Sequence, residues 1–132
     1  MGMTATTQKE EEVATAIVHC AYDVHRGLGP VLLESVYEVC FCYELRRRGI
    51  TYGRQVAVPI IYKGVRLSEQ LRLDVLVEDL VICELKAVDA MNPVFLAQIL
   101  SHLKLSGKRL GFLINFNVTS IKQGIRRVIL KG

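Results

Sequence analysis

The segment LRLDVLVEDLVICELKA, residues 71–87, decides the fold, because polar and apolar side chains alternate along it as they do in strands. It predicts the end of one strand, residues 65–77, and a second strand, residues 81–87, joined by a three-residue loop. That loop length places Asp74 directly opposite Glu84. One face of this hairpin is then wholly apolar and suited to pack against a helix. The opposite face carries four charged side chains: Arg72, Asp74, Glu84 and Lys86.

An earlier strand is predicted at residues 54–62, with Lys63-Gly64 as the turn into residues 65–77. Extending the register through this turn gives four predicted pairs: Tyr62 with Val65, Ile60 with Leu67, Val58 with Glu69, and Val56 with Leu71. A one-residue slip of the hairpin would mix charged and apolar side chains on both faces, so burial favours the chosen register. Pro59 cannot donate to a ladder and predicts an edge position for its strand.

Three helices are predicted around these strands. Apolar residues recur at helical spacing over residues 10–26 and 32–48. A third helix spans residues 92–107, where asparagine caps the start, proline follows, and glycine ends it. Residues 108–116 form a further strand, and the tail at 120–130 is predicted to be mostly strand. This order of elements indicates an α/β fold.

The composition predicts one folded domain. The chain has 132 residues, of which 51% are hydrophobic and 23% charged, and its formal net charge is +4. That charge permits a polyanionic partner without requiring one. No apolar run approaches the roughly 18 residues of a membrane span, and the polar start lacks a signal-peptide core, so we expect a cytoplasmic protein with no membrane partner. Residues 1–9 are expected to be disordered or tag-derived, since Met1-Gly2-Met3 resembles a cloning remnant.

The four cysteines are expected to be reduced core residues rather than zinc ligands. None belongs to a Cys-x-x-Cys pair, and each has apolar neighbours. They are Cys20, Cys40, Cys42 and Cys83.

The charged face of the hairpin favours a divalent cation, because two carboxylates that face each other across a ladder repel. Mg²⁺ prefers such oxygen ligands and usually takes only one or two of them from the protein. Lys86 lies on the same face as Glu84 and can orient a water or hold a phosphate oxygen. The alternative is a cross-strand salt-bridge cluster on a solvated face, and the hairpin alone does not decide between the two.

Asp74 followed by Glu84-Leu85-Lys86 resembles the motif of the PD-(D/E)XK nuclease superfamily. The stretch GPVLLESVYE, residues 29–38, is similar to the motif of the GxxExxY family, a group assigned to that superfamily. The similarity continues through residues 97–107 and 113–117. One position departs from the motif, because Val31 stands where the family has glycine, and Gly29-Pro30 is expected to make the turn instead.

The resemblance implies one nuclease-like domain over residues 1–132, with a restriction-endonuclease-like mixed sheet and helices on its faces. It also implies that Asp74 and Glu84 bind the metal, that Glu34 adds a carboxylate from a helix, and that Lys86 is the catalytic lysine. Gln98 would be the polar residue that the third helix turns toward the site. His102 lies one helical turn beyond Gln98 and is left outside the metal shell.

The leading hypothesis is therefore a phosphodiester hydrolase that uses Mg²⁺ or Mn²⁺ and acts on DNA or RNA. The rival hypothesis is a catalytically silent nuclease-like fold that serves as a binding or assembly module. No helix-turn-helix or zinc finger indicates base readout, so the substrate stays open. A chain this short would bind a duplex more tightly as a homodimer, although no segment specifies the dimer interface.

Overall fold

The computed structural model describes residues 6–131, which form a five-stranded mixed sheet with helices on both faces. The strands are β1 (Tyr52–Tyr62), β2 (Val65–Val77), β3 (Val81–Lys86), β4 (Leu110–Asn115) and β5 (Ile125–Ile129). They lie in sequence order across the sheet; β3 and β4 are parallel, and the other neighbours are antiparallel. The helices are α1 (Gln8–Leu28), α2 (Glu34–Arg47), α3 (Pro93–Ser106) and the single turn α4 (Ile121–Gly124). The predicted α/β fold, with a mixed sheet and helices on its faces, is confirmed.

The first helix begins earlier than expected. Thr7 and Glu10 form a reciprocal capping box, in which each side chain accepts a hydrogen bond from the other residue's backbone N–H. Residues 1–9 were expected to be disordered or tag-derived, and the expectation of disorder is wrong for Thr7, which caps α1, and for residues 8 and 9, which belong to it. Residues 1–5 lie outside the described part of the chain.

The chain's tail combines a helical turn with a strand. Residues 121–124 form α4, and only residues 125–129 continue as the predicted strand. Gly124 is required here, because a Cβ at this position would clash with the backbone oxygen of Asn115. The close approach of α4 to the end of β4 therefore explains a glycine whose position in a helix is otherwise unfavourable.

Both faces of the sheet are buried, in two separate apolar clusters. One cluster joins α1 and α2 to the sheet and includes Ile17, Phe41, Val75, Cys83 and Leu85. The other joins α3 to the opposite face and includes Leu73, Ile82, Ile99, Leu103 and Leu113. Near-continuous apolar runs such as VICEL are expected when a strand is covered on both sides. The charged face predicted from the hairpin is therefore partly covered, by α3.

The β1–β2 register agrees with the prediction only near the turn. Tyr62 pairs with Val65 as predicted, but between Pro59 and Ile61 the register shifts by two residues. Val58 consequently pairs with Leu71 instead of Glu69, and Val56 pairs with Leu73 instead of Leu71. The shift keeps an apolar partner opposite Val58, which is buried. It occurs beside a proline that has no N–H to donate to the ladder.

A second irregularity separates the two clusters within β2. Leu73 packs with α3, whereas Val75 packs with α1 and α2, although alternate residues of a regular strand share a face. The change of side occurs at Asp74. Across from it, Gln55 has a φ of 51°, a left-handed conformation that is rare within a strand. The continuous apolar face predicted for β2 is therefore split at the position of the candidate site.

Three cysteines are buried, as predicted: Cys20, Cys42 and Cys83. Cys40 is partly buried, and all four are free thiols. Within residues 6–131 we find no helix that combines the length and the hydrophobicity needed to cross a membrane.

Candidate active site

Asp74 and Glu84 lie together where the strands β2 and β3 part. The ladder between these strands ends at the Val75–Cys83 pair. Beyond it, the Glu84 carboxylate accepts a hydrogen bond from the backbone N–H of Asp74 at 3.4 Å. The Asp74 carboxylate accepts one from the backbone N–H of Leu85 at 2.8 Å. Each acid thus satisfies a donor that the parting strands leave without a backbone acceptor.

Each of these carboxylates retains one oxygen for other ligands. Asp74 Oδ1 and Glu84 Oε1 accept no hydrogen bond from any residue between 6 and 131. In the same part of the chain, every fully buried side-chain polar atom has a hydrogen-bond partner. The two free oxygens must therefore be reachable by solvent. Their donor chemistry, two carboxylate oxygens on neighbouring strands, suits a hard divalent cation.

The structure places His102 of α3 against Glu84. Its Nδ1 lies 3.2 Å from Glu84 Oε2, the oxygen that also accepts from Asp74. Only 6% of Glu84 is exposed, so this contact orients an acid that is almost fully enclosed. Gln98 has an exposed side chain and no hydrogen bond to a described residue of the site. Its role in the site stays a prediction, and His102 is the α3 residue that touches a candidate ligand.

Lys86 is held by an aromatic ring. Its Nζ lies 4.5 Å from the centroid of Phe95, which packs within the α3 cluster. The attraction between an ammonium group and the face of a ring favours this position. The next contact along the strand fixes the end of β3, because the backbone oxygen of Lys86 accepts from the N–H of Phe116. Lys86 is thus positioned from both its side chain and its backbone.

The electrostatics of Asp74 reflect a surplus of negative charge. Its pKa is raised from 3.8 to about 7, first by burial and then by the neighbouring carboxylates of Glu84, Glu34 and Glu38, against the opposing hydrogen bond from Leu85. Glu34 is exposed, yet partial desolvation also raises its pKa, while Lys86 lowers it. The acids that the resemblance assigned to the site are therefore within electrostatic range of one another, and Lys86 is within range of Glu34.

Glu38 is a residue of this region that the sequence reasoning missed. It lies one helical turn after Glu34 and is buried, with 6% exposure. Arg54 pairs with its carboxylate at 3.0 Å, and Gln55 donates to both of its oxygens. Its distance of four residues from Glu34 was the available signal, because such residues share a helix face. Glu38 ties the start of β1 to α2 beside the candidate site.

The turn before Glu34 is fixed by Tyr37. The buried Tyr37 hydroxyl donates to the backbone oxygen of Gly29 at 2.7 Å and accepts from the N–H of Leu32 at 3.2 Å. Its ring stacks on Phe116 with centroids 4.7 Å apart. These contacts clamp the turn to the first residues of α2. They determine where the helix begins and hence where Glu34 projects.

Val31 adopts the conformation that glycine favours. Its φ is 72°, although valine is β-branched and 80% exposed, and its N–H donates to Asn117 Oδ1 at 3.0 Å. Gly29 also has a positive φ of 67°. Gly29 thus contributes to the turn as expected, but it does not replace position 31, because Val31 is left-handed as well. Strain of this kind persists only where surrounding contacts fix the backbone.

The candidate ligands do not form a complete metal site by themselves. Among the described residues, no group of three or more histidine, cysteine, aspartate or glutamate side chains has an arrangement that could hold a metal ion. Glu34 is therefore not brought into one cluster with Asp74 and Glu84. The protein offers a pair of acids, with a third carboxylate and a lysine nearby.

One comparison with known proteins gives a match. The model of a family described as the PD-(D/E)XK nuclease superfamily matches residues 11–128, nearly the whole chain. No curated protein and no solved structure matches the chain significantly.

The strain at Val31 predicts a stabilising substitution. Val31→Gly should raise the free energy of unfolding by up to about 1.5 kcal/mol. It removes a left-handed penalty of roughly 1–2 kcal/mol, which outweighs the roughly 0.5–1 kcal/mol that the added unfolded-state entropy of glycine costs. Chemical denaturation measures this difference. Val39→Gly is the matched control, since the exposed Val39 lies inside α2 and should lose about 0.5–1 kcal/mol. A Val31→Gly protein less stable than wild type would contradict the strain.

The raised pKa of Asp74 predicts how stability changes with pH. In metal-free protein, the folded state keeps a proton on Asp74 up to a pKa of about 7, whereas the unfolded chain releases it near 3.8. The free energy of unfolding of wild type should therefore fall, relative to Asp74→Asn, as the pH rises from about 4 to about 7. Denaturation curves with a chelator present measure both proteins. Two pH profiles that stay parallel across this window would show that Asp74 titrates normally.

Proposed function

The chain belongs to the PD-(D/E)XK nuclease superfamily, and we propose that it is a metal-dependent nuclease that hydrolyses phosphodiester bonds of DNA or RNA. The observation that carries this proposal is the pair of free carboxylate oxygens on Asp74 and Glu84, with Lys86 two residues farther along the strand. A structural salt bridge would use such oxygens against a neighbouring cation. No arginine or lysine among residues 6–131 pairs with either acid.

PD-(D/E)XK nucleases generally use divalent metals, and the acids here fit that chemistry. We propose Asp74 and Glu84 as the principal ligands and Glu34 as a further carboxylate, with Mg²⁺ or Mn²⁺ as the ion. Bound there, the ion would supply Lewis-acid activation of a phosphate oxygen or of a water. The incomplete ligand set agrees with Mg²⁺, which usually keeps several positions for water and substrate phosphate.

The chain's own residues have separate roles in this proposal. Lys86 Nζ donates a hydrogen bond to a phosphate oxygen or to the attacking water, and Phe95 limits its position. His102 holds Glu84 in the orientation that leaves Oε1 free. In the reaction, a water oxygen bonds to phosphorus, the bond to one ester oxygen breaks, and that oxygen takes up a proton. Gln98 is proposed to position substrate from the exposed face of α3.

We also propose that the chain belongs to the GxxExxY family within this superfamily. Three structural features support this assignment, because each gives a motif position a physical role. Position 31 needs a left-handed backbone, Glu34 opens α2 beside the acids, and Tyr37 clamps the turn between them. Valine at position 31 satisfies the backbone requirement with strain, which explains why a departure from the motif is tolerated.

Two variants should distinguish metal binding from cleavage of the phosphodiester bond. Mg²⁺ or Mn²⁺ should raise the melting temperature of wild type by ligand linkage and support cleavage of nucleic acids. Asp74→Asn keeps an acceptor for the Leu85 N–H but loses the charge, so it should lose the metal-dependent shift and the cleavage. Lys86→Ala should keep the shift while cleavage falls by about 100-fold or more. The measurements are thermal denaturation and cleavage of single-stranded, duplex and branched DNA and RNA.

Glu12→Ala is the matched control, because Glu12 is an exposed carboxylate on α1 and should behave as wild type. Wild-type protein that gains no stability from either ion and cuts no substrate would favour a silent nuclease-like fold that acts as a binding module. Cleavage that is equal in wild type and both site variants would come from a contaminant.

The ring of Phe95 should affect catalysis through Lys86. Phe95→Leu keeps an apolar side chain in the α3 cluster but removes the cation–π contact, which is worth about 0.5–2 kcal/mol. We therefore expect kcat to fall by about 2- to 30-fold, with an unchanged metal-binding midpoint. Phe95→Tyr keeps the ring and should retain the wild-type rate. A wild-type kcat in Phe95→Leu would exclude a positioning role for the ring.

A further inference from the structure

The hairpin of β1 and β2 ends in a two-stranded ribbon. Every residue from 61 to 70 is exposed, so neither face of this stretch is covered by the body of the protein. A two-stranded hairpin without a covered face is at best marginally stable. The ribbon would therefore gain order from a partner that lies along it.

Four polar side chains alternate along one face of the ribbon, which we call the ribbon face: Arg66, Ser68, Gln70 and Arg72. The ladder places three of them opposite Ile61, Pro59 and Ala57 of β1. The register shift between Pro59 and Ile61 is two residues, an even number, so alternate residues keep their side of the ribbon across it. The other face continues into the α3 cluster through Leu71 and Leu73. Arg72, between these leucines, therefore points away from α3.

The ribbon face leads to the candidate site. Asp74 lies two residues after Arg72, where the alternation of β2 breaks, and Gln55 stands across from it on β1. Gln55 donates to Glu38 of α2, so this face meets α2 at the acids. A molecule that lies along the ribbon face would thus reach the carboxylate pair at its inner end.

The two arginines of the ribbon face have free charges. Neither Arg66 nor Arg72 forms an ion pair with a residue between 6 and 131, whereas Arg54 at the base of the ribbon pairs with Glu38. A guanidinium group presents a rigid fork of donors that matches phosphate oxygens. Two such groups in line with a phosphodiesterase-type site favour a polyanionic strand over a small substrate.

The length of the ribbon face sets the size of that strand. Arg66 is opposite Ile61, six positions along β1 from Gln55, or about 20 Å at roughly 3.3 Å per residue. At about 3.4 Å per nucleotide along a helical strand, this distance corresponds to roughly six nucleotides. Arg72, two residues from Asp74, corresponds to about two nucleotides.

We propose that the ribbon face binds the sugar–phosphate backbone of a polynucleotide and directs that strand to Asp74 and Glu84. The proposal rests on the proposed nuclease function and specifies its substrate class, a polynucleotide of roughly six nucleotides or more. Contacts to phosphates position a strand without reading its sequence. The ribbon face thus acts as a sequence-independent guide.

Binding of labelled oligonucleotides tests this guide in the Lys86→Ala protein with Mg²⁺ present, where cleavage does not interfere. Oligonucleotides of about four and about twelve nucleotides, as single strands and duplexes of DNA and RNA, are titrated over a range of salt concentrations. Arg66→Gln should weaken binding of the longer oligonucleotides about 3- to 10-fold and lower the salt slope by about 0.7–0.9. It should leave the shorter ones unchanged, whereas Arg72→Gln should weaken both.

Arg126→Gln is the matched control, because Arg126 is exposed, forms no ion pair within residues 6–131, and lies on β5 at the opposite edge of the sheet. It removes the same charge and should bind as the parent protein does. Three results would overturn the proposal: no binding by the parent, parental affinity in both ribbon variants, or equal weakening by Arg126→Gln.

Cleavage measured beside binding distinguishes failure of this proposal from failure of the proposed nuclease function. Ribbon variants that bind weakly, in a protein whose wild type cuts no substrate, would support the guide and contradict the nuclease. Ribbon variants that bind and cut as wild type does would contradict the guide and support the nuclease.

Discussion

The parting of β2 from β3 at Asp74 and Glu84 is the constraint on which the site depends. A ladder that continued past Val75 and Cys83 would pair the backbone groups of Asp74 and Glu84 between the strands, so their N–H groups would not need side-chain acceptors. Because the strands separate, two N–H groups need acceptors, and the acids supply them. The separation also marks where the core changes sides, with Leu73 against α3 and Val75 against α1 and α2. The break in pairing thus places the acid pair at the position where the core residues of β2 change sides.

The helices hold this break open from both sides of the sheet. On one side, α3 contributes His102 against Glu84 and Phe95 beneath Lys86. On the other side, Glu38 of α2 binds Arg54 and Gln55, the latter in a left-handed conformation across from Asp74. The irregular backbone is therefore stabilised by buried, charge-assisted hydrogen bonds rather than by ladder pairing.

Sequence periodicity predicted the frame well and the irregularities poorly. The bounds of β2 and the juxtaposition of Asp74 and Glu84 follow from alternation and a short loop, which are local properties of the chain. The two-residue shift at Pro59 and the positive φ of Val31 depend on contacts with distant residues, which no local pattern records. The role of Glu38 was not predicted, because an acid on a helix is usually solvated. Only the fold shows that Arg54 lies against it. The missed features are thus long-range, and they surround the site.

The balance of charge explains why this arrangement favours a cation. Four acids lie near one another: Glu34, Glu38, Asp74 and Glu84. Arg54 forms an ion pair with Glu38 and with none of the other three. Lys86 lowers the pKa of Glu34, but its ammonium is drawn toward Phe95 instead of forming an ion pair with an acid. Burial, together with the surplus of negative charge, raises the pKa of Asp74 to about 7, so near neutral pH a proton competes with a cation for this carboxylate in the metal-free protein. A bound divalent ion would replace that proton and relieve the repulsion, and the binding free energy would then stabilise the fold. The same electrostatic repulsion that weakens the metal-free protein at neutral pH would therefore favour the binding of a divalent ion.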